Sequence, residues 1–292
     1  MRQWLSPDTE RAAALLEAHP DYRILRSLPP LDLLPLPEPE GRIRTAAILD
    51  TETTSLDPAT GHIIELAICQ VSFDARGRIV AVGPVHDWLE DPGYPLPAEI
   101  VTLTGLNDGD LAGKRIDDAA ALGLLSVADL IVAHNAGFDA RWIEQRYPTI
   151  AGSPWACTLK DIDWRGHGYE GRQLGALLGE VSGFFNTRHR ADADVAALVA
   201  LLAAPLRSGR TVCSEMILSA QHPTVRVIAQ GAPYEAKDRL KARGYRWDPK
   251  LRCWWKEISG DAAEEERAWL AEHAACHAPA TRPITWRERH RA

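Results

Sequence analysis

The chain has 292 residues and a formal net charge of −7, with 46% hydrophobic and 25% charged residues. That is the make-up of an ordinary soluble globular protein, large enough for one sizeable domain and a smaller one, and no apolar run approaches a membrane span. The charge is uneven: residues 1–204 hold 17 Lys and Arg against 29 Asp and Glu, whereas residues 205–258 hold 11 against 5. An acidic body with a basic appendage suits a protein in which metal cations or the appendage help to hold an anionic partner. The N-terminal "MRQWLSPDTERAAALLEAHPDYR" is too charged for a secretory signal. The five cysteines are scattered with no CxxC pair, as expected of free thiols in a reducing compartment, so a cytoplasmic location is expected.

In chain order, residues 8–18 read as a short helix, followed by the proline-rich "LPPLDLLPLPEPEG". Proline blocks both helix and central strand, so this stretch is a linker or a strap, and its leucines favour a strap lying on the next domain. Residues 43–50 are a buried strand. "HIIELAICQVSFD" and "GRIVAVGPVHDWL" are two more, joined by a turn at Asp74–Gly77. A short helix follows at "PLPAEIVTLTGL", a second over 117–127, a strand at "LIVAHN" and a helix over 137–147. "YEGRQLGALLGEV" reads as helix, and 191–204 as a last helix with an apolar stripe. Strands first and then alternating helices and strands imply a mixed sheet flanked by helices, an α/β fold. "APLRSG" marks a boundary; beyond it lie a strand at "TVRVIA", a helix over 234–243, a hairpin from "YRWD" to "CWWKEI" and a closing helix over 261–273. The expected organisation is an N-terminal helix and strap (1–42), a main domain (43–205), a linker (206–223), a small α+β module (224–275) and a tail (276–292).

The apolar run Ala46-Ala47-Ile48-Leu49 ends in Asp50 and Glu52. Strand residues i and i+2 share a face, so these carboxylates project side by side, an arrangement relieved by a shared hard cation. A second acid, Asp139, stands in the first turn of the helix after His134-Asn135, where acids also serve the helix dipole. A third group, "TRHRADADVAALVALL", places His189 before a helix bearing Asp192 and Asp194. These two aspartates fall on opposite flanks of the stripe of Val195, Leu198, Val199 and Leu202, so periodicity leaves open which one faces a site.

"DTETTSLD", "HNAGFD" and "HRADAD", in this order and at these separations, resemble the three motifs of the DEDDh 3′–5′ exonucleases, the family of the proofreading epsilon subunit of bacterial DNA polymerase III, RNase T and oligoribonuclease. The resemblance spans roughly residues 43–204. It implies an RNase H-like fold, two divalent cations (Mg²⁺ or Mn²⁺), and release of nucleoside 5′-monophosphates from the 3′ ends of single-stranded DNA or RNA. By motif position it assigns Asp50, Glu52, Asp139 and Asp194 as metal ligands and His189 as the histidine that takes a proton from water. It selects Asp194 over Asp192, because the family's last aspartate lies five residues after the histidine. It further implies that Thr53 and Ser55 hold the terminal 3′-OH, that Leu56 packs on the terminal base, that Phe138 stacks nearby and that Asn135 belongs to the second motif. Two positions depart from the family: Ser55 often stands as Gly, and Thr104 before Gly105 as His. The resemblance implies that both line the substrate edge. The expected partner is nucleic acid with a free 3′ end, alongside a replication or repair partner.

The segment 233–258 mixes basic residues with Trp247, Trp254 and Trp255 and is similar to small modules of the "LKxxGxRWD…W" type found on nucleic-acid enzymes. Lys237, Lys241, Arg243, Arg246 and Arg252 are its candidate phosphate contacts, and exposed aromatics would stack bases. At least two of the three tryptophans are expected in the core of so small a module. Two other functions fit parts of the pattern: a nucleic-acid-binding protein on an inactive exonuclease fold, and a HAD-type phosphatase. Glu52 and the His189–Asp194 spacing argue against the phosphatase, and the full set of catalytic residue types argues against the inactive fold.

Overall fold

A computed structural model describes residues 6–186 and 190–291, in two compact units: one reaching to Ser219 together with Arg291, and one over Ala220–His290. In the first, α1 (Pro7–Glu17) and β1 (Arg26–Ser27) precede three long strands, β2 (Arg44–Thr53), β3 (Ile63–Phe73) and β4 (Ile79–Leu89). Then come α2 (Ala98–Thr104), α3 (Asp108–Leu111), α4 (Asp118–Ser126), β5 (Leu130–Ala133), α5 (Ala136–Arg146), β6 (Trp155–Cys157), α6 (Leu174–Leu177), β7 (Phe184–Phe185), α7 (Ala191–Ala203) and α8 (Val212–Gln221).

The main sheet has the order β4-β3-β2-β5-β6. β4, β3 and β2 pair antiparallel, whereas β5 and β6 continue parallel to β2, giving the RNase H-like mixed sheet. Alternation along β2 sorts its side chains. Ala47 and Leu49 join Leu66, Ile68 and Ile131 in a core completed by α4 and α5 through Leu125, Ala140, Trp142 and Ile143. Ile48, Asp50 and Glu52 take the other parity, on the face that α7 crosses as it packs on β2, β3 and β4. α7 buries Val195, Leu198, Val199 and Leu202, and also Ala197, Ala200 and Leu201, so it is apolar nearly all round.

The proline-rich connector contains one short 3₁₀ turn, Leu31–Leu33, and is tied at its end to the β3–β4 turn. Asp74 organises that turn: its buried carboxylate accepts from the backbone N–H of Glu40, Arg76 and Arg78 and from the Arg78 guanidinium. Burial alone would raise Asp74, but the Arg78 hydrogen bond and the three N–H donors hold it below the usual carboxylate range. Asp74→Ala is expected to lower stability by about 1–2 kcal/mol in urea unfolding at pH 7. A carboxylate depressed in the fold stabilises above its unfolded pKa and loses that contribution on acidification, so the deficit should shrink below about pH 4.

Some elements depart from the sequence expectation. The helix expected over 169–181 begins only at Leu174 and continues as a π-type turn over Leu178–Ser182, because Gly171 and the preceding residues do not sustain helix. Residues 212–221, expected within a linker, form α8. β6 was not expected at all.

The second unit contains β8 (Thr224–Ile228), α9 (Lys237–Ala242), β9 (Arg246–Asp248), β10 (Cys253–Ser259), α10 (Ala263–Ala274) and β11 (Ala280–Ile284) in an antiparallel sheet of order β11-β8-β10-β9. Residues 276–292 are therefore more than a tail, since Ala280–Ile284 pairs along β8 from Ile228 to Thr224. Pro283 obscures this strand in the sequence and is tolerated because β11 is an edge strand. Leu240, Tyr245, Leu270 and Val227 form the core, with Trp254 and Trp269 packed against it.

Candidate active site

β2 delivers its two acids where its apolar run ends. Asp50 and Glu52 are half-buried and alternate with buried Thr51 and Thr53. α7 brings Asp194 to them: one carboxylate oxygen from each of Asp50, Glu52 and Asp194 lies within 4.8 Å of the others. Among the described residues this is the one cluster able to hold a metal ion. Asp194 is itself held, its Oδ1 accepting from Asn186 Nδ2 at 3.1 Å. Asp192 accepts instead from the N–H of Ala193 and lies outside the cluster.

Asp139 approaches from α5, on the opposite face of the sheet. It is buried, and its Oδ1 accepts from Thr51 Oγ1 at 2.8 Å. It is not among the three clustered carboxylates, yet its charge is the strongest electrostatic influence on Asp50. Burial, then the charges of Asp139, Glu52 and Asp194, hold Asp50 well above the usual carboxylate range. Burial, followed by Glu65 and Asp194, pushes Glu52 up to about 8, with Arg190 opposing. Burial pushes Asp139 up to about 7 against the Thr51 hydrogen bond. Among the described residues Arg190 offsets part of this negative charge at Glu52, and hard divalent ions are the partners its oxygen donors fit. His189, with Thr187 and Arg188, lies outside the described residues.

The 3′-end candidates lie in the turn after β2. Thr53 Oγ1 donates to the carbonyl of Ser55 at 2.7 Å, and Ser55 Oγ accepts from the N–H of Asp57 at 3.1 Å. Leu56 is 80% exposed, while its carbonyl accepts from Arg141 Nη2 at 3.0 Å. Gly61 is required here, because a Cβ on it would stand 2.6 Å from that of Ser55. Asn135 adopts φ 78° at the start of α5, and its side chain caps no N–H there. Phe138 is half-buried, its ring 6.2 Å from Trp142. Thr104 is buried and bonded within its own turn, and Gly105 takes φ 72° as the left-handed C-cap of α2.

In the second unit, Trp254 packs on the core and Trp255 lies under the Arg226 guanidinium, 4.2 Å from its ring centroid. Trp247 is 48% exposed, tilted against Trp254. Lys241 points at Trp254, Lys237 bonds the hydroxyl of exposed Tyr234, and Arg246 and Arg252 are exposed. Arg243 is committed internally, to Glu266 and over Trp269.

Thr51, Asn186, Glu65 and Arg190 also contact the acids of the site and were not among the residues expected there. Glu65 carried a signal, being a lone acid inside the apolar run "IIELAICQV". Thr51 and Asn186 carried none.

The RNase T exonuclease family model matches residues 47–202, more than half of the chain. The DNA polymerase III PolC-type of Listeria welshimeri is 30% identical over 167 residues, covering 53% of this chain and 11% of its own length. That of Streptococcus pyogenes is 30% identical over 173 residues, covering 57% and 11%. The chain thus spans about a tenth of these relatives' length. Among solved structures, E. coli exonuclease I in complex with a dA16 oligonucleotide aligns with a TM-score of 0.50 and 16% identity, over 84% of this chain and 64% of that one, a likeness of fold. The chain belongs to the RNase T-type exonuclease family, with the DEDDh order of motifs. No helix among the described residues is long and apolar enough to cross a membrane.

Proposed function

We propose that this protein is a cytoplasmic, divalent-metal-dependent 3′–5′ exonuclease that hydrolyses the terminal phosphodiester of single-stranded DNA or RNA and releases nucleoside 5′-monophosphates. The observation that carries this reading is the convergence of Asp50, Glu52 and Asp194 within 4.8 Å, the proton affinity of Asp50 and Glu52 raised by burial and neighbouring carboxylates, inside a family-matched domain. These three, with Asp139, would hold two ions, Mg²⁺ or Mn²⁺, whose charge activates water and stabilises the leaving 3′ oxygen. His189, five residues before Asp194, takes the proton from the attacking water, since imidazole titrates near neutral pH. The turn after β2 receives the 3′ end: backbone at Thr53 and Ser55 meets the terminal hydroxyl, and exposed Leu56 covers the terminal base, with Phe138 and Asn135 beside it. A replication or repair partner is part of this reading, supported by the polymerase names of the relatives.

Digestion of 3′- and 5′-labelled single-stranded DNA, single-stranded RNA and mismatched duplexes with Mg²⁺ or Mn²⁺ tests it. A 3′ label should leave first as a mononucleotide while a 5′ label yields a descending ladder. A strand that is shifted in a gel but never shortened identifies an inactive binder, and a covalent phosphoaspartate at Asp50 identifies phosphatase chemistry.

The second unit adds binding, through exposed Trp247 and the charges of Lys237, Lys241, Arg246 and Arg252; Arg243 contributes less, being paired with Glu266. Two substitutions separate stacking from charge. Trp247→Ala should weaken oligonucleotide binding by about 1–3 kcal/mol with its salt dependence unchanged. Lys241→Ala should weaken it and reduce the slope of log K against log salt by about 0.7. Unaltered affinity in both variants, measured by fluorescence anisotropy, removes the module from the binding surface.

A further inference from the structure

Glu65 stands inside "IIELAICQV", on a strand between two neighbours, where an unpaired carboxylate is costly. It is fully buried and is the direct cross-strand partner of Glu52. Its counter-charge is Arg190, the residue at the entrance of α7. Arg190 Nε donates to both carboxylate oxygens, at 2.8 and 2.9 Å, and Nη2 reaches Oε1 at 2.7 Å. The N–H of Ala191 adds a contact to Oε2 at 3.3 Å. The carbonyl of Arg190 accepts the first helical hydrogen bond of α7 from the N–H of Asp194, at 2.9 Å.

These contacts form a closed circuit. Glu52 is laddered to Glu65, Glu65 is forked to Arg190, Arg190 is hydrogen-bonded to Asp194, and Asp194 returns to within 4.8 Å of Glu52. A buried ion pair is a poor way merely to fasten a helix, since apolar residues of similar volume do so at least as well. What the fork adds is direction: a planar guanidinium on a carboxylate sets both the distance and the angle of approach. It also leaves a cation beside Glu52, Asp87 and Asp192.

We infer that Glu65 and Arg190 are positioning residues for the reaction: their fork fixes the first turn of α7 so that Asp194 meets Asp50 and Glu52 in metal-holding geometry. The inference rests on the exonuclease reading and concerns residues that would touch neither substrate nor metal.

Four variants of the full chain test it: Arg190→Lys keeps the charge and loses the fork, Glu65→Gln keeps the shape and loses the charge, Glu65→Leu with Arg190→Met replaces the pair by packing, and Arg146→Lys serves as control. Arg146 makes a comparable fork on Glu90, at 2.7 and 2.6 Å, away from the site. For each, the Mn²⁺ dissociation constant is measured by calorimetry without substrate, kcat and KM on a 3′-labelled oligonucleotide, and Tm. The three site variants should bind Mn²⁺ roughly tenfold more weakly and lose about 10- to 100-fold in kcat, the range for partners that orient metal ligands, with KM within about twofold. The double variant should do so with Tm at or above wild type, and Arg146→Lys should lower Tm alone. Wild-type Mn²⁺ affinity and kcat in the double variant would overturn the inference, as would losses in Arg190→Lys no larger than those in Arg146→Lys. If the unaltered protein neither binds Mn²⁺ nor shortens the strand, the exonuclease reading itself fails.

Discussion

Asp50→Ala abolishes hydrolysis: kcat should fall by at least about 10³-fold, roughly 4 kcal/mol of barrier, with Mg²⁺ or Mn²⁺ at any accessible concentration. Asp50 is held well above the usual carboxylate range, first by burial and then by its neighbours' charges, and it lies beside Glu52 on β2, close to Asp194 from α7 and under the field of Asp139 from α5. Without it β2 offers only Glu52 beside Asp194. The fold should survive and, without metal, gain. A carboxylate whose pKa is raised by folding destabilises the native state at every pH above its unfolded value, so its removal relieves that burden at pH 7–8 and does nothing near pH 3. The expected signature is an inactive protein whose metal-free Tm exceeds wild type at pH 8, the trade seen where function requires a strained site. Full activity in Asp50→Ala at the wild-type metal requirement would sink the assignment.

Metal affinity should climb steeply with pH. Glu52 is pushed up to about 8 and Asp139 up to about 7, so near pH 6 both hold protons that a divalent ion must displace. Affinity for Mn²⁺ should rise by roughly tenfold to a hundredfold from pH 6 to pH 7, according to whether one or two protons leave. Calorimetry at one pH in two buffers of different ionisation enthalpy counts those protons directly. The metal-free fold moves in the opposite direction: its stability falls as pH rises from about 4 through these values, and saturating metal restores it by mass action. A pH-independent Mn²⁺ affinity between 6 and 8 would show that the carboxylates are already ionised.

Much of this was legible because the strands that build the site are long and bounded. β2, β3 and β4 are 10 or 11 residues long, rich in apolar and β-branched residues and bounded by Asp74–Gly77 and by polar loops, and period two alone put Asp50 beside Glu52. β6 was not legible: Trp155–Cys157 is three residues long and follows Gly152-Ser153-Pro154, a context that reads as loop. Nor could α7 reveal its orientation, since a helix buried nearly all round has no polar side from which to judge Asp192 against Asp194. Motif spacing singled out Asp194, and it is Asp194 that lies with Asp50 and Glu52. The fork from Glu65 to Arg190 joins residues 125 positions apart, beyond the reach of any local pattern.

The Thr51 hydroxyl that bonds Asp139 has a consequence for the birth of the protein. Asp50 and Glu52 on one side of β2, and Thr51 on the other, need partners that emerge from the ribosome roughly 90 and 140 residues later, the last of them on α7. On the exonuclease reading, a nascent chain carries its first two acids without the means to cut until those partners have emerged. On that reading competence would arrive only when α7 docks, so that activity would report on the folding of this unit.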